Sequence, residues 1–200
     1  VYESALAGKT FTQNSPRPYR DYIEWLSTRS LEEARQFWRH NLRDFDTPTS
    51  IGAIPSSTNQ SEPAYHDESV ELDEVLSNQL RQLSKQHSLT LSLLIQGAWS
   101  IVLSRYSGMN DVVFGATVSG RPPEIADVDG MIGLFINTLP VRVGIHPNQT
   151  LIEFFKNIHE DQLTRDEFAY TPLVEIHSCT DVPVRQPLFE SIVIFALLLG

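Results

Sequence analysis

Cysteine is almost missing from this chain: Cys179 is the only one in 200 residues. An intramolecular disulfide is therefore excluded, and a reducing, cytoplasmic setting fits. Cys179 lies in Ser178-Cys179-Thr180-Asp181, a turn-like stretch. A nucleophilic thiol needs a base and a cationic setting, so this one reads as an ordinary loop thiol. Basic side chains are also scarce, 15 Lys and Arg against 25 Asp and Glu, for a formal charge of −10. That balance speaks against sequence-independent nucleic-acid binding, which needs a basic face to displace counterions. It speaks equally against docking on an anionic membrane. Long apolar runs are lacking too. Ser191 to Gly200 is apolar but covers ten residues, too few to span a bilayer as a helix. Val1 to Thr10 shows no basic start followed by an apolar run, so no signal peptide is read there.

The usual catalytic fingerprints are missing as well. There is no P-loop, no G-x-G-x-x-G and no G-x-S-x-G elbow. The six histidines are His40, His66, His87, His146, His159 and His177. No two have metal-ligand spacing with a third donor nearby, so no metal site is assigned. His40 and His159 lie at the edges of predicted helices, and His87 near a helix C-terminus, where its charged form suits the dipole. Glu32 with Glu33 and Asp127 with Asp129 read as helix-start and loop charges.

What is present is a globular composition, 41% hydrophobic and 20% charged, with helices and strands in alternation. Val1 to Gly8 reads as the end of a helix. Pro16-Arg17-Pro18 opens another, in which Tyr19, Tyr22, Ile23 and Leu26 recur at helical spacing. Ser30 and Glu33 form a capping-box pattern, and Leu31, Ala34, Phe37, Trp38 and Leu42 make one apolar stripe behind it. Trp25 and Trp38 read as helix-packing residues. Residues 44–64, with Pro48, Pro55 and Pro63, read as a long surface connection. Val70 and Leu72 suggest a short strand near 65–72. Asp73 caps a helix running to about His87, and Thr90 caps another from Leu91 to Tyr106, closed by Gly108. That last helix is apolar around most of its girth and so is expected to be central. Strands are expected at Asp111 to Val118, Leu134 to Val143 and Leu188 to Phe195. A helix from Leu151 to Thr164 should turn Leu151, Phe154, Phe155 and Ile158 inward. The expected class is α/β with a mixed sheet.

Two groups stand out as candidate site residues. Ser119-Gly120-Arg121-Pro122 follows a strand, and Gly120 lets the backbone turn or a substrate approach closely. Asn137 is an amide inside an apolar run. Buried, it must be hydrogen-bonded, so it is expected to fix neighbouring backbone.

The stretch from Tyr106 to Pro122, YSGMNDVVFGATVSGRP, resembles the strand-and-turn signature of condensation domains in nonribosomal peptide synthetases. Ile132 to Arg142, IGLFINTLPVR, resembles the family's "GxFxNTxPxR" motif. Tyr19 to Trp25 is similar to its "YxDYxxW" motif. Phe37-Trp38 with Leu42, Tyr170-Thr171-Pro172-Leu173 and Pro187-Leu188-Phe189 resemble further stretches in the same order. Two departures are visible. Phe168 stands where the family often has histidine, and Ala196 to Gly200 replaces a Glu-Asn-Tyr-Pro-like exit.

The resemblance implies a chloramphenicol-acetyltransferase-like sandwich lobe, a mixed sheet with flanking helices, truncated at both ends. On this reading residues 1–28 are the end of the N-terminal lobe and the crossover helix. Residues 29–200 are an incomplete C-terminal lobe. The implied chemistry is amide-bond formation between a donor acyl thioester and an acceptor amine. Phosphopantetheine arms of peptidyl carrier proteins bring both, beside an adenylation domain, with no nucleic acid or membrane as partner. The family's catalytic histidine sits in an "HHxxxDG" motif that this chain lacks, so the chain is expected to be inactive without the missing N-terminal lobe. Ser119, Gly120, Arg121, Asn137 and Thr138 are the implied substrate-tunnel residues, Ser119 as a partner for the acceptor amine. Alternatives within reach of the same residues are half of an epimerisation domain, or a non-catalytic module that docks carriers.

Overall fold

The computed structural model describes residues 16–52 and 65–196. The helix end read at Val1 to Gly8, the second half of the 44–64 connection and the tail beyond Ala196 lie outside the described residues.

Helix α1 (Arg20–Ser27) follows Pro18, whose carbonyl accepts from the Asp21 amide. Its Tyr22 is buried among Ile125, Val128, Met131 and Phe135. Helix α2 (Leu31–Asn41) starts at Ser30, whose hydroxyl accepts the Glu33 amide at 3.2 Å, one half of the expected capping box. Ala34, Trp38 and Leu42 are buried along its stripe, while Leu31 is exposed in the first turn, contrary to expectation.

The connection after α2 does not run over the surface throughout. Phe45 joins the core, and the buried Thr49 hydroxyl accepts the Val113 amide at 2.8 Å. The strand expected near 65–72 does not form. Tyr65, Val70 and Leu72 are exposed and have no regular structure, because no strand among the described residues offers them a ladder. Helix α3 (Glu74–His87) is capped by Asp73, which accepts the Leu76 amide at 2.7 Å, and ends at Ser88 in the left-handed region. Helix α4 (Leu91–Ser107) is capped by Thr90 and closed by Gly108 at φ +73°.

Strand β1 (Asp111–Val118) and strand β2 (Asn137–Gly144) pair antiparallel, Phe114 opposite Val141 and Val118 opposite Asn137. Strand β3 (Ile192–Val193) pairs parallel with Gly115 and Ala116 on the other side of β1, so the sheet is mixed, in order β2-β1-β3. Two expectations need correction. β2 begins at Asn137 and not Leu134, because the Tyr19 hydroxyl binds the Leu134 carbonyl at 2.7 Å and the Ile132–Ile136 segment stays out of the ladder. β3 is two residues long, because the chain anchors the buried Leu188 in the core first and joins the ladder only at Ile192.

Helix α5 (Leu151–Asp166) has a full capping box between Thr150 and Glu153. Phe154, Phe155 and Ile158 are buried as expected, but Leu151, in the solvent-facing first turn, is exposed. Helix α6 (Leu173–His177) follows Pro172.

Alternation along β1 distributes the core. Val112, Phe114 and Ala116 pack with Leu93, Leu94 and Leu103 of α4 and Phe154, Phe155 and Ile158 of α5. Val113 packs the other way with Trp38 of α2 and Ile176 of α6. A mixed sheet is thus covered by helices on both faces. Among the described residues no single helix is long and apolar enough to cross a membrane.

Candidate functional site

β1 ends at Val118, and the chain turns through Ser119, Gly120 and Arg121 at the rim of an open groove of about 530 Å³. Gly120 sits at φ +59°, and a Cβ on it would collide with the Phe135 carbonyl oxygen. Only glycine fits that turn. Arg121 does not extend into solvent. Its guanidinium donates to the Val128 and Met131 carbonyls and lies 4.1 Å from the centre of the Phe135 ring. The turn is thereby fastened to a 3₁₀ turn at Val128–Gly130 and to the base of β2.

Asn137 and Thr138 do not line the groove; they stand behind its wall. The Asn137 amide nitrogen donates to the Ala169 carbonyl at 2.8 Å and the Thr171 carbonyl at 2.9 Å, and its oxygen accepts the Thr138 amide at 2.9 Å. Every polar atom of that amide is used on backbone, as its place in an apolar run predicts. Ala169 and Tyr170 face the groove, so Asn137 positions the wall opposite the Ser119 turn. Thr138 pairs with Thr117, itself a groove residue. Three of the five sequence-derived tunnel residues therefore line the groove, and two support it.

The remaining wall was not visible in the sequence. Ser92 and Gln96 come from α4; Gln162, Leu163, Arg165 and Asp166 come from the end of α5; Trp25 and Arg29 come from α1 and its exit. Arg165 is 4% exposed. Its burial pulls the guanidinium below its ordinary pKa, with Asp166 and Asp161 opposing. Burial in turn raises the Asp161 and Asp166 carboxyls, against the pull of Arg165. Trp25 stacks on Tyr22 and meets Tyr170 edge-on, and the Arg29 guanidinium lies 4.4 Å above its ring. Trp25 is thus both a packing residue and a groove residue.

Among the described residues no histidine lines this groove. His40 and His146 border a second recess of about 730 Å³ with Asp111 and Arg142. The His177 ring pairs with the Gln186 carbonyl at 2.9 Å. Phe168, where the resemblance leads one to expect histidine, stacks on Phe37. Cys179 is half-buried, its thiol directed at the Glu175 carbonyl. Among the described residues no cluster of His, Cys, Asp or Glu could hold a metal ion.

This fold is shared with solved condensation domains. The chain superposes on the first condensation domain of the CDA synthetase with a TM-score of 0.72 at 16% identity, covering 97% of this chain and 42% of that one. It superposes on the X-domain from teicoplanin biosynthesis with a TM-score of 0.69 at 21% identity, covering 96% and 45%. Identities this low show the fold alone, the chloramphenicol-acetyltransferase-like sandwich. Sequence relatives are nearer. A linear gramicidin synthase polypeptide of Brevibacillus parabrevis is 43% identical over 197 residues, 98% of this chain and 4% of the relative. A gramicidin S synthase of Brevibacillus brevis is 35% identical over 196 residues, 97% of this chain and 4% of the relative. A surfactin synthase polypeptide of Bacillus subtilis (strain 168) is 37% identical over 176 residues, 88% of this chain and 5% of the relative. The chain thus spans a small part of the length of these relatives. The condensation-domain model matches residues 1–199, and the chain belongs to that family.

Proposed function

We propose that this chain forms one wall of the chamber in which a condensation domain of a nonribosomal peptide synthetase makes an amide bond. Residues 1–28 then carry the crossover into the lobe, and residues 29–200 form the C-terminal lobe. The observation that carries the reading is the Ser119–Arg121 turn facing α4 and the end of α5 across an open groove. Membership of the family supports it, as do relatives named for the synthesis of linear gramicidin and surfactin. The substrates are an acyl thioester and an amine, each on the phosphopantetheine arm of a peptidyl carrier protein, loaded by an adjacent adenylation domain.

The amine nitrogen attacks the thioester carbonyl; a C–N bond forms, the C–S bond breaks, and the thiol leaves with a proton. This chain positions the reactants. The Ser119 hydroxyl can accept from the attacking amine. Gly120 lets the chain pass close to the substrate. Arg121, Asn137 and Thr138 hold the two sides of the groove at fixed spacing. None of Ser119, Gly120, Arg121, Asn137 and Thr138 is a general base at neutral pH, so on this reading another group takes the proton, in the family the histidine of the HHxxxDG motif.

The test is a reconstitution with loaded donor and acceptor carriers. The purified chain alone should give no dipeptidyl product above a no-protein control. The chain combined with an HHxxxDG-bearing N-terminal lobe should give product. Product from the chain alone overturns the division of labour. Carrier binding without product in the reconstituted pair identifies a docking module, and an inverted donor centre without amide formation identifies an epimerisation domain.

A further inference from the structure

Among the described residues, buried polar atoms without partners are concentrated at one place. Seven enclosed side-chain nitrogen or oxygen atoms lack a hydrogen-bond partner, and four of them belong to residues lining the groove: Trp25 Nε1, Arg29 Nε, Gln96 Oε1 and Arg165 Nε. Arg165 is the extreme case. It is 4% exposed, and its guanidinium makes no hydrogen bond or ion pair with any described residue. A buried cation left in that state opposes folding unless something else occupies its donors. Gln96, 6% exposed, uses its amide nitrogen on Ser92 Oγ at 3.1 Å and leaves its oxygen without a donor.

The charge around this polar floor is balanced. Arg29, Arg121 and Arg165 face Glu124, Asp166 and Glu167 on the same lining, so no net field draws an ion in. What stays unmet on this lining is a set of N–H donors and one carbonyl acceptor. A peptide amide offers the complement in one group, a C=O for the donors and an N–H for the acceptor. We propose that Arg165 and Gln96 are the anchoring pair of a binding site for a neutral, amide-bearing peptidyl chain. Arg165 donates to its carbonyl oxygens, and Gln96, after a turn of its side-chain amide, accepts from its N–H. The proposal rests on the reading that the groove receives a carrier-borne acyl group, and adds that the group is recognised through its backbone amides. Recognition through backbone is independent of side-chain identity.

The experiment uses the ¹⁵N-labelled chain and three small probes without carriers: N-acetyl-alanyl-alanine methylamide, N-acetylglycinate and inorganic phosphate. The neutral methylamide should shift the Nε–H signal of Arg165 and the indole N–H of Trp25 saturably, and the two anions should do so less. Arg165→Met should weaken methylamide binding by roughly 10–100-fold, the scale of a charge-assisted hydrogen bond. Arg165→Lys, which keeps charge without the fork, should fall between. Arg165→Met should also melt at or above the wild-type temperature, since apolar replacement relieves an unpaired buried charge. Gln96→Leu serves as the second variant should Arg165→Met fail to fold, and should lose methylamide binding in the same range. Tighter binding of either anion, no shift with the methylamide, or unchanged affinity in the variants overturns the proposal. Because binding is read on this chain alone, a negative result here leaves the carrier reconstitution standing, and a negative reconstitution leaves this result standing.

Discussion

Arg142 holds Asp111 in a forked grip, at 3.0 Å through Nε and 2.6 Å through Nη2, while its other nitrogen donates to the Asn41 and Arg43 carbonyls. One side chain on β2 thus closes the start of β1 and receives the unsatisfied carbonyls at the end of α2. Arg142→Met removes all of these at once and should cost about 2–3 kcal/mol, read as a lower urea midpoint at unchanged m-value. Arg142→Lys should retain the Asp111 pair, lose the fork, and fall between the two.

Asn137→Ala leaves the Ala169 and Thr171 carbonyls without their donor. The expected loss is about 1–3 kcal/mol, a drop in melting temperature of several degrees. In the reconstituted pair, product formation should fall with it, because a shift of roughly 1 Å in a positioned wall can cost on the order of a hundredfold in rate. A variant that melts like wild type yet forms no product would place Asn137 in the chemistry itself.

Two glycines at positive φ should respond differently to alanine. Gly108 closes α4 in open space, so Gly108→Ala carries only the backbone cost, about 1 kcal/mol. Gly120→Ala adds a collision with the Phe135 carbonyl, and should destabilise by clearly more than Gly108→Ala in the same denaturation assay.

Burial holds the Asp161 and Asp166 carboxyls above the ordinary carboxylate range. Between the unfolded and folded values the native state binds more protons than the unfolded one. Their contribution therefore increases as pH falls from neutral through the folded value, and levels off below the unfolded one. Glu153 works in the opposite sense: the Thr150 hydrogen bonds lower its pKa, and its contribution is lost as pH falls through that lowered value. Arg165→Met removes the positive charge that pulls both aspartates down, so both should titrate at still higher pH. Carboxyl ¹³C titration of wild type and variant reads this directly; unchanged midpoints would remove Arg165 from their surroundings.

Three helices were legible because their starts are written in side chains: Ser30, Asp73 and Thr90 cap the helices that follow them. α5 was legible from its apolar spacing, and its Thr150 cap came only with the structure. β1 was legible because it is buried on both faces over most of its length. The strand read at 65–72 fails because alternation at Val70 and Leu72 says nothing about whether a partner strand exists. The groove was half legible. Ser119, Gly120 and Arg121 announce themselves as a turn after a strand. Arg165 sits in Thr164-Arg165-Asp166-Glu167, which has the look of a solvated helix end, and only the tertiary packing of α5 on α4 buries it. Gln96 is one polar residue in an apolar helix, a pattern that does not reveal which neighbour it faces.

β3 reaches β1 from roughly 77 residues further along the chain, held by the Gly115 amide on the Ser191 carbonyl, the Trp99 indole on the Ser191 hydroxyl, the Phe189 ring over the bare α-carbon of Gly115, and Val193 packed on the core. The β1–β2 hairpin can close locally, whereas β3 cannot dock until the ribosome has added that length, about 4–15 s at ~5–20 residues per second. For those seconds one side of β1 is an open template for another nascent chain, guarded at Val113 by the Thr49 hydroxyl already in place. Slowing translation downstream of β2 should lengthen that exposure and lower the yield of folded chain, whereas slowing it upstream of β1 should not.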